Sequence, residues 1–138
     1  GSGKLKKVLI DTNILISAAL SNKGTPYRAY MKAVSFPYRG VICDQNIDEL
    51  RTVFNRKFPA KLQLLDSFLA YALPSLHLIE TPIDETEQES AIRDVKDRPI
   101  LRAAVSANVD ILLTGDKDFL EADIEKPVTM TAAEFLEL

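Results

Sequence analysis

The sequence predicts a three-layer α/β/α sandwich around a central, mostly parallel sheet. Two observations carry that expectation. Short, uniformly apolar runs recur at Val8-Leu9-Ile10, Val41-Ile42-Cys43, Leu76 to Ile79 and Ile111-Leu112-Leu113, with none of the polar alternation of a sheet open to water. The stretches between them have helical spacing and are bounded by breakers and caps, so strand and helix alternate as crossover-connected parallel strands require.

The first run ends at Asp11, which places a carboxylate at the carboxyl edge of a buried strand, where open α/β sheets bind their ligands. Thr12 and Asn13 can cap the helix that follows, whose apolar face is Ile14, Leu15, Ala18 and Ala19. Ser21 to Pro26 is a loop, and Thr25-Pro26 opens a second helix that stops before Pro37. After Val41-Ile42-Cys43, Asp44 is expected to cap a helix running to about Lys57, with Ile47, Leu50, Val53 and Phe54 as its buried stripe. Another amphipathic helix lies between Lys61 and Leu73, and Leu76 to Ile79 reads as a strand. Asp84 to Ser90 is polar and acidic. Asp97 is expected to cap a helix with Pro99 near its start, and Ile111-Leu112-Leu113 is the fourth strand. Val128-Thr129-Met130 leads into Thr131-Ala132-Ala133-Glu134, a capping-box pattern for a last short helix.

Residues 4–138 are expected to form a single domain, with Gly1-Ser2-Gly3 an expression scar. No apolar stretch approaches the roughly 20 residues of a membrane helix, and the single cysteine, Cys43, fits a reducing, cytoplasmic setting. With one histidine and one cysteine there is no zinc-type ligand set. Cys43 and His77 are expected to be packing residues, as are Tyr27, Tyr30 and Phe36, although the last three could also stack bases. The net charge of −3 argues against a protein that grips phosphate by bulk positive charge, unless its acids are gathered to hold cations.

Four carboxylates meet that condition. Asp11 and Asp116 follow strands, Asp97 opens a helix and Glu49 borders the buried stripe of another, with Asp94 and Asp48 as rivals for the last two places. Gathered in one cleft they would repel by several kcal/mol, on the order expected in a low-dielectric site. Hard cations such as Mg²⁺ or Mn²⁺ would relieve that repulsion, and two such ions held by shared carboxylates serve in-line attack of water on a phosphodiester. No Ser/His or Cys/His arrangement offers a protein nucleophile. A phosphatase using Asp11 as nucleophile would want a second acid at Asn13, and a lone Gly115 is no dinucleotide fingerprint.

Taken together, Val8-Leu9-Ile10-Asp11-Thr12-Asn13, Ile47-Asp48-Glu49-Leu50, Lys96-Asp97-Arg98-Pro99-Ile100-Leu101 and Thr114-Gly115-Asp116-Lys117-Asp118-Phe119 resemble the PIN-domain family of nucleases, in its bacterial toxin–antitoxin branch. The resemblance implies a metal-dependent ribonuclease for single-stranded RNA, with Asp11, Glu49, Asp97 and Asp116 as catalytic metal ligands. It implies Asn13, Thr114 and Asp118 as a supporting shell, Asp118 also as a metal ligand. It further implies Mg²⁺ or Mn²⁺ as cofactor, a small antitoxin as partner, and dimerisation. Relatives often carry a small or neutral residue after the third carboxylate, where this chain has Arg98. Arg51, Arg56, Lys57, Arg98, Arg102 and Lys117 could contact RNA phosphate, but most are expected to be ordinary solvated face, and none is assigned a role of its own. A non-catalytic RNA- or partner-binding module on the same fold is the alternative.

Overall fold

The structure, a computed structural model, describes residues 4–138; the expected scar at residues 1–3 lies outside the described residues. Five strands, β1 (Lys6–Ile10), β2 (Tyr38–Cys43), β3 (His77–Ile79), β4 (Ile111–Leu113) and β5 (Val128–Met130), form one sheet in the order β3-β2-β1-β4-β5. Every pairing is parallel, with Leu9 beside Val41 and Ile10 beside Leu113. Between them run α1 (Thr12–Leu20), α2 (Thr25–Ala33), α3 (Asp44–Lys57), α4 (Leu62–Ala72), α5 (Arg98–Ser106), α6 (Lys117–Leu120) and α7 (Ala132–Leu136).

The uniformly apolar strands serve two cores at once. Val8, Ile10, Ile42, Ile111 and Leu113 pack with Ile14, Leu15, Ala18, Leu50, Phe54, Leu65 and Phe135 on one face of the sheet. Leu9, Val41, Cys43 and Leu112 pack with Ile92, Ile100, Leu101, Ala104 and Phe119 on the other. Side chains alternate faces along a strand, so a strand covered by helices on both sides has no position left for a polar residue. This is the expected α/β/α sandwich.

The chain builds outward from β1 to β3, then returns to place β4 on the other side of β1. Neighbouring crossovers therefore diverge between β1 and β4, the topological switch point at which a crevice opens beyond the strands' carboxyl ends. Asp11 N–H donates to the Leu113 carbonyl at 2.9 Å, which extends the β1–β4 ladder to the residue that enters this crevice.

Several local expectations are corrected. Cys43, not Asp44, occupies the cap of α3: its backbone N–H donates to Asn46 Oδ1 at 2.8 Å in a reciprocal capping box. Asp44 instead accepts from both the backbone and the hydroxyl of Thr81, tying α3 to the chain beyond β3. Asp97 holds the cap position of α5 but makes no side-chain cap bond; Asp94 caps the preceding 3₁₀ turn (Val95–Asp97) through Lys96 N–H. Val128–Met130 is a fifth strand, formed because β4 would otherwise expose its ladder to water. His77 lies exposed on the edge strand β3, and Phe36 is 84% exposed, so neither is a core residue. Tyr30 is buried against Phe68, while Tyr27 is partly buried beside it.

Candidate active site

Asp11 is the residue around which the crevice is arranged. Only 5% of it is exposed, and both carboxylate oxygens are engaged. Oδ1 accepts from Thr12 N–H and Oδ2 from the Thr114 hydroxyl, each at 2.8 Å. The first bond makes Asp11 itself the cap of α1, a role compatible with ligation because each carboxylate oxygen keeps a further lone pair. Burial nonetheless outweighs these donors and raises the Asp11 pKa to about 6, with the charge of Asp116 adding to the rise.

Thr114, fully buried at the end of β4, links two of the acids. Its hydroxyl donates to Asp11 and accepts from Asp116 N–H at 3.0 Å. Asp116 in turn caps α6 by accepting from Asp118 N–H at 2.9 Å. Glu49 reaches the same place from the first half of α3. Its pKa is raised to about 7 by partial burial, then by the charge of Asp11, while a hydrogen bond from the Thr12 hydroxyl opposes the rise. Asp97 completes the group from the start of α5. Partial burial, then the charge of Asp116, which accepts a hydrogen bond from its protonated form, holds its pKa well above the usual carboxylate range.

The charges of Asp11 and Asp116 thus reach their neighbours: Asp116 acts on Asp11, Glu49 and Asp97, and Asp11 acts on Glu49 and Asp97. Asp94 and Asp118 join at the Asp97 side: oxygens of Asp94, Asp97 and Asp118 all lie within 4.8 Å of one another. Asp118 also forms an ion pair with Arg93 at 2.9 Å. Asp48 is exposed on α3. Asn13 is exposed in the first turn of α1 and bonds to no acid among the described residues.

Two contributors were not singled out for this role in the sequence. Thr12, read there as a cap, is buried, with Oγ1 accepting from Asn46 Nδ2 at 3.1 Å, and its hydroxyl acts to lower the Glu49 pKa. Asn46 is completely buried between the α3 cap and Thr12, so one side chain couples the ends of β1 and β2. An Asn three residues past a strand end was the available signal. Two of the cations that could have met phosphate are engaged within the chain. Arg102 Nε and Nη2 clamp both oxygens of Glu89 at 2.9 and 2.8 Å, and Arg98 Nε donates to the Ile92 carbonyl at 3.0 Å.

This donor set is all oxygen, anionic and partly desolvated, which suits hard divalent cations and no softer metal. The PIN-domain family model matches residues 7–118, and the chain belongs to that family. No curated protein matches the sequence. Among solved structures, a Rickettsia felis VapBC2 complex bound to a DNA fragment from its promoter is 18% identical, with a TM-score of 0.67 over 91% of this chain and 98% of that one. Mycobacterium tuberculosis VapC20, a toxin that cleaves the sarcin–ricin loop, is 17% identical, with a TM-score of 0.57 over 81% and 92%. A domain of a functionally unknown Methanocaldococcus jannaschii protein is 20% identical, with a TM-score of 0.57 over 91% and 90%. At these identities the likeness is one of fold. Among the described residues no helix is long and apolar enough to cross a membrane.

Proposed function

We propose that residues 4–138 form a single nuclease domain that cuts single-stranded RNA with Mg²⁺ or Mn²⁺, as the toxin of a cytoplasmic toxin–antitoxin pair. The observation that supports this reading is the raised pKa of Asp11, Glu49 and Asp97, caused first by burial and then by the charges of neighbouring acids, Asp11 and Asp116 among them. Divalent ions bound there would supply Lewis acidity to a phosphodiester and lower the pKa of water. The four acids would hold them, with Asp118 at the rim. Thr114 would keep Asp11 and Asp116 in one geometry, and Thr12 with Asn46 would hold Glu49 toward them. Asn13, at the mouth, would complete the supporting shell.

The VapBC2 complex and the RNA-cleaving VapC20 support the partner and substrate assignments, a small antitoxin and RNA, with self-association as a further expectation. The decisive experiment is cleavage of a mixed RNA pool with Mn²⁺, with EDTA, and by Asp11→Asn. Cleavage confined to the metal-loaded parent chain is expected. RNA cutting that survives chelation or Asp11→Asn would refute the assignment. Absence of Mn²⁺ binding at millimolar metal by calorimetry would favour the non-catalytic module instead.

A further inference from the structure

Beside the acid cluster, a cavity of about 500 Å³ is lined by Ala91, Arg93, Lys117, Asp118, Glu121 and Ala122. We infer that this cavity is the subsite for the RNA phosphate flanking the one that is cut, with Arg93 and Lys117 as its phosphate-binding residues. The inference rests on the ribonuclease reading for the identity of the strand.

Its volume lies within the range of small-ligand sites, enough for part of a nucleotide and not for a folded partner. Its position follows from the chain: Asp118 belongs both to its wall and to the acid group with Asp94 and Asp97, so the cavity borders that group. Its lining balances Arg93 and Lys117 against Asp118 and Glu121, whereas the neighbouring group is acidic throughout. Arg93 and Lys117 bring two cations to a rim otherwise dominated by acids, where a polyanion would need them.

Two nearby arginines are less available. Arg102 is clamped by Glu89 and Arg98 is bound to the Ile92 carbonyl. Arg93 has an ion pair to Asp118, but the Arg93 side chain is 87% exposed, and a pair in that setting is weak and screened, so a phosphate can displace it. Its backbone is held in place by two features. Ile92, the preceding residue, is fully buried in the core, and the Glu89–Arg102 clamp straps the same segment to α5. A cation on a fixed backbone, held by a weak partner, stays within reach of the cavity and can exchange that partner for a phosphate.

The test measures binding separately from cleavage. A fluorescein-labelled single-stranded oligoribonucleotide of mixed sequence is titrated with the parent chain, Arg93→Ala, Lys117→Ala, the double variant and Glu121→Gln, in EDTA, by anisotropy across a salt series. The double variant is expected to weaken binding about tenfold, and the log–log salt slope to become shallower by about 0.7 for each cation lost. Glu121→Gln is expected to tighten binding, and Arg93→Lys to restore most of the loss from Arg93→Ala, whereas a merely structural role for Arg93 would leave the slope unmoved. Parent-like affinity and slope in the double variant, or no measurable binding by the parent, overturns the subsite. The nuclease reading fails separately: if the parent does not cut with Mn²⁺ while the cation variants still lose RNA affinity, Arg93 and Lys117 remain a strand-phosphate site and only its place beside a cut phosphate is lost.

Discussion

The Thr114 hydroxyl donates to Asp11 Oδ2 at 2.8 Å across the switch point between β4 and β1, joining residues 103 positions apart in the chain. The Thr114 hydroxyl oxygen also accepts from Asp116 N–H, so one buried atom bridges two of the four central acids. Thr114→Val keeps the shape but leaves the Asp11 oxygen and the Asp116 N–H without that partner. A loss of about 1–3 kcal/mol of stability is expected, read by denaturant unfolding. Under the proposed function, cleavage falls by about tenfold in kcat with KM nearly unchanged, because the hydroxyl positions acids and touches no substrate. Thr114→Ser should recover most of both.

Asp11→Asn removes the buried charge yet preserves the cap, since an amide oxygen still accepts from Thr12 N–H. In metal-free protein above pH 7 the variant is expected to melt higher than the parent, and with Mn²⁺ to lose the parent's metal-dependent gain. RNA cleavage should drop by about 10²-fold or more, the scale on which single electrostatic contributors act. A lower melting temperature for the metal-free variant at that pH would show that Asp11 is held by favourable contacts and not by tolerance of a repulsive cluster.

The acid group also sets a pH dependence of stability. Folding raises the pKa of Asp11 from 3.8 to about 6 and of Glu49 from 4.5 to about 7. A raised acid pKa means that the native state binds its proton more tightly. The stability this provides is full below the unfolded values and is lost as pH rises through about 6 to 7. For Asp11 the shift corresponds to about 3 kcal/mol, or roughly 10 °C in Tm. Calorimetric scans in EDTA are therefore expected to show a lower Tm at pH 8 than at pH 5, and millimolar Mn²⁺ to reverse that order. Equal Tm values in EDTA would contradict the cluster's electrostatics.

Glu89 behaves in the opposite sense. The Arg102 guanidinium and the Thr86 donors hold its carboxyl down at about 2, so its contribution is present above pH 4.5 and is lost as pH falls toward 2. The pair is nearly dry, with side-chain exposures of 13% for Arg102 and 4% for Glu89. Removing one partner strands the other, and Glu89→Gln or Arg102→Met is expected to cost about 3–5 kcal/mol. Urea denaturation of the double variant should show a cost well below the sum of the two, the mark of a coupled pair. An additive result would mean that the clamp contributes no interaction of its own.

Sequence patterning alone supplied the layered architecture and the positions along the chain of Asp11, Glu49, Asp97 and Asp116, because apolar runs, helical periodicity and breakers act locally and are read without partners. Which atoms meet was decided only by tertiary packing. Strands buried on both faces are uniformly apolar and carry no alternation to fix their register, so nothing in Ile111-Leu112-Leu113 announces that Thr114 stands against Asp11. Likewise, Asp44 looks like a helix cap until β3 carries Thr81 beside it, and Arg102 looks like a free cation until the 80–92 segment folds Glu89 onto it. Polar side chains choose among donors brought close by the fold, and that choice is made in three dimensions.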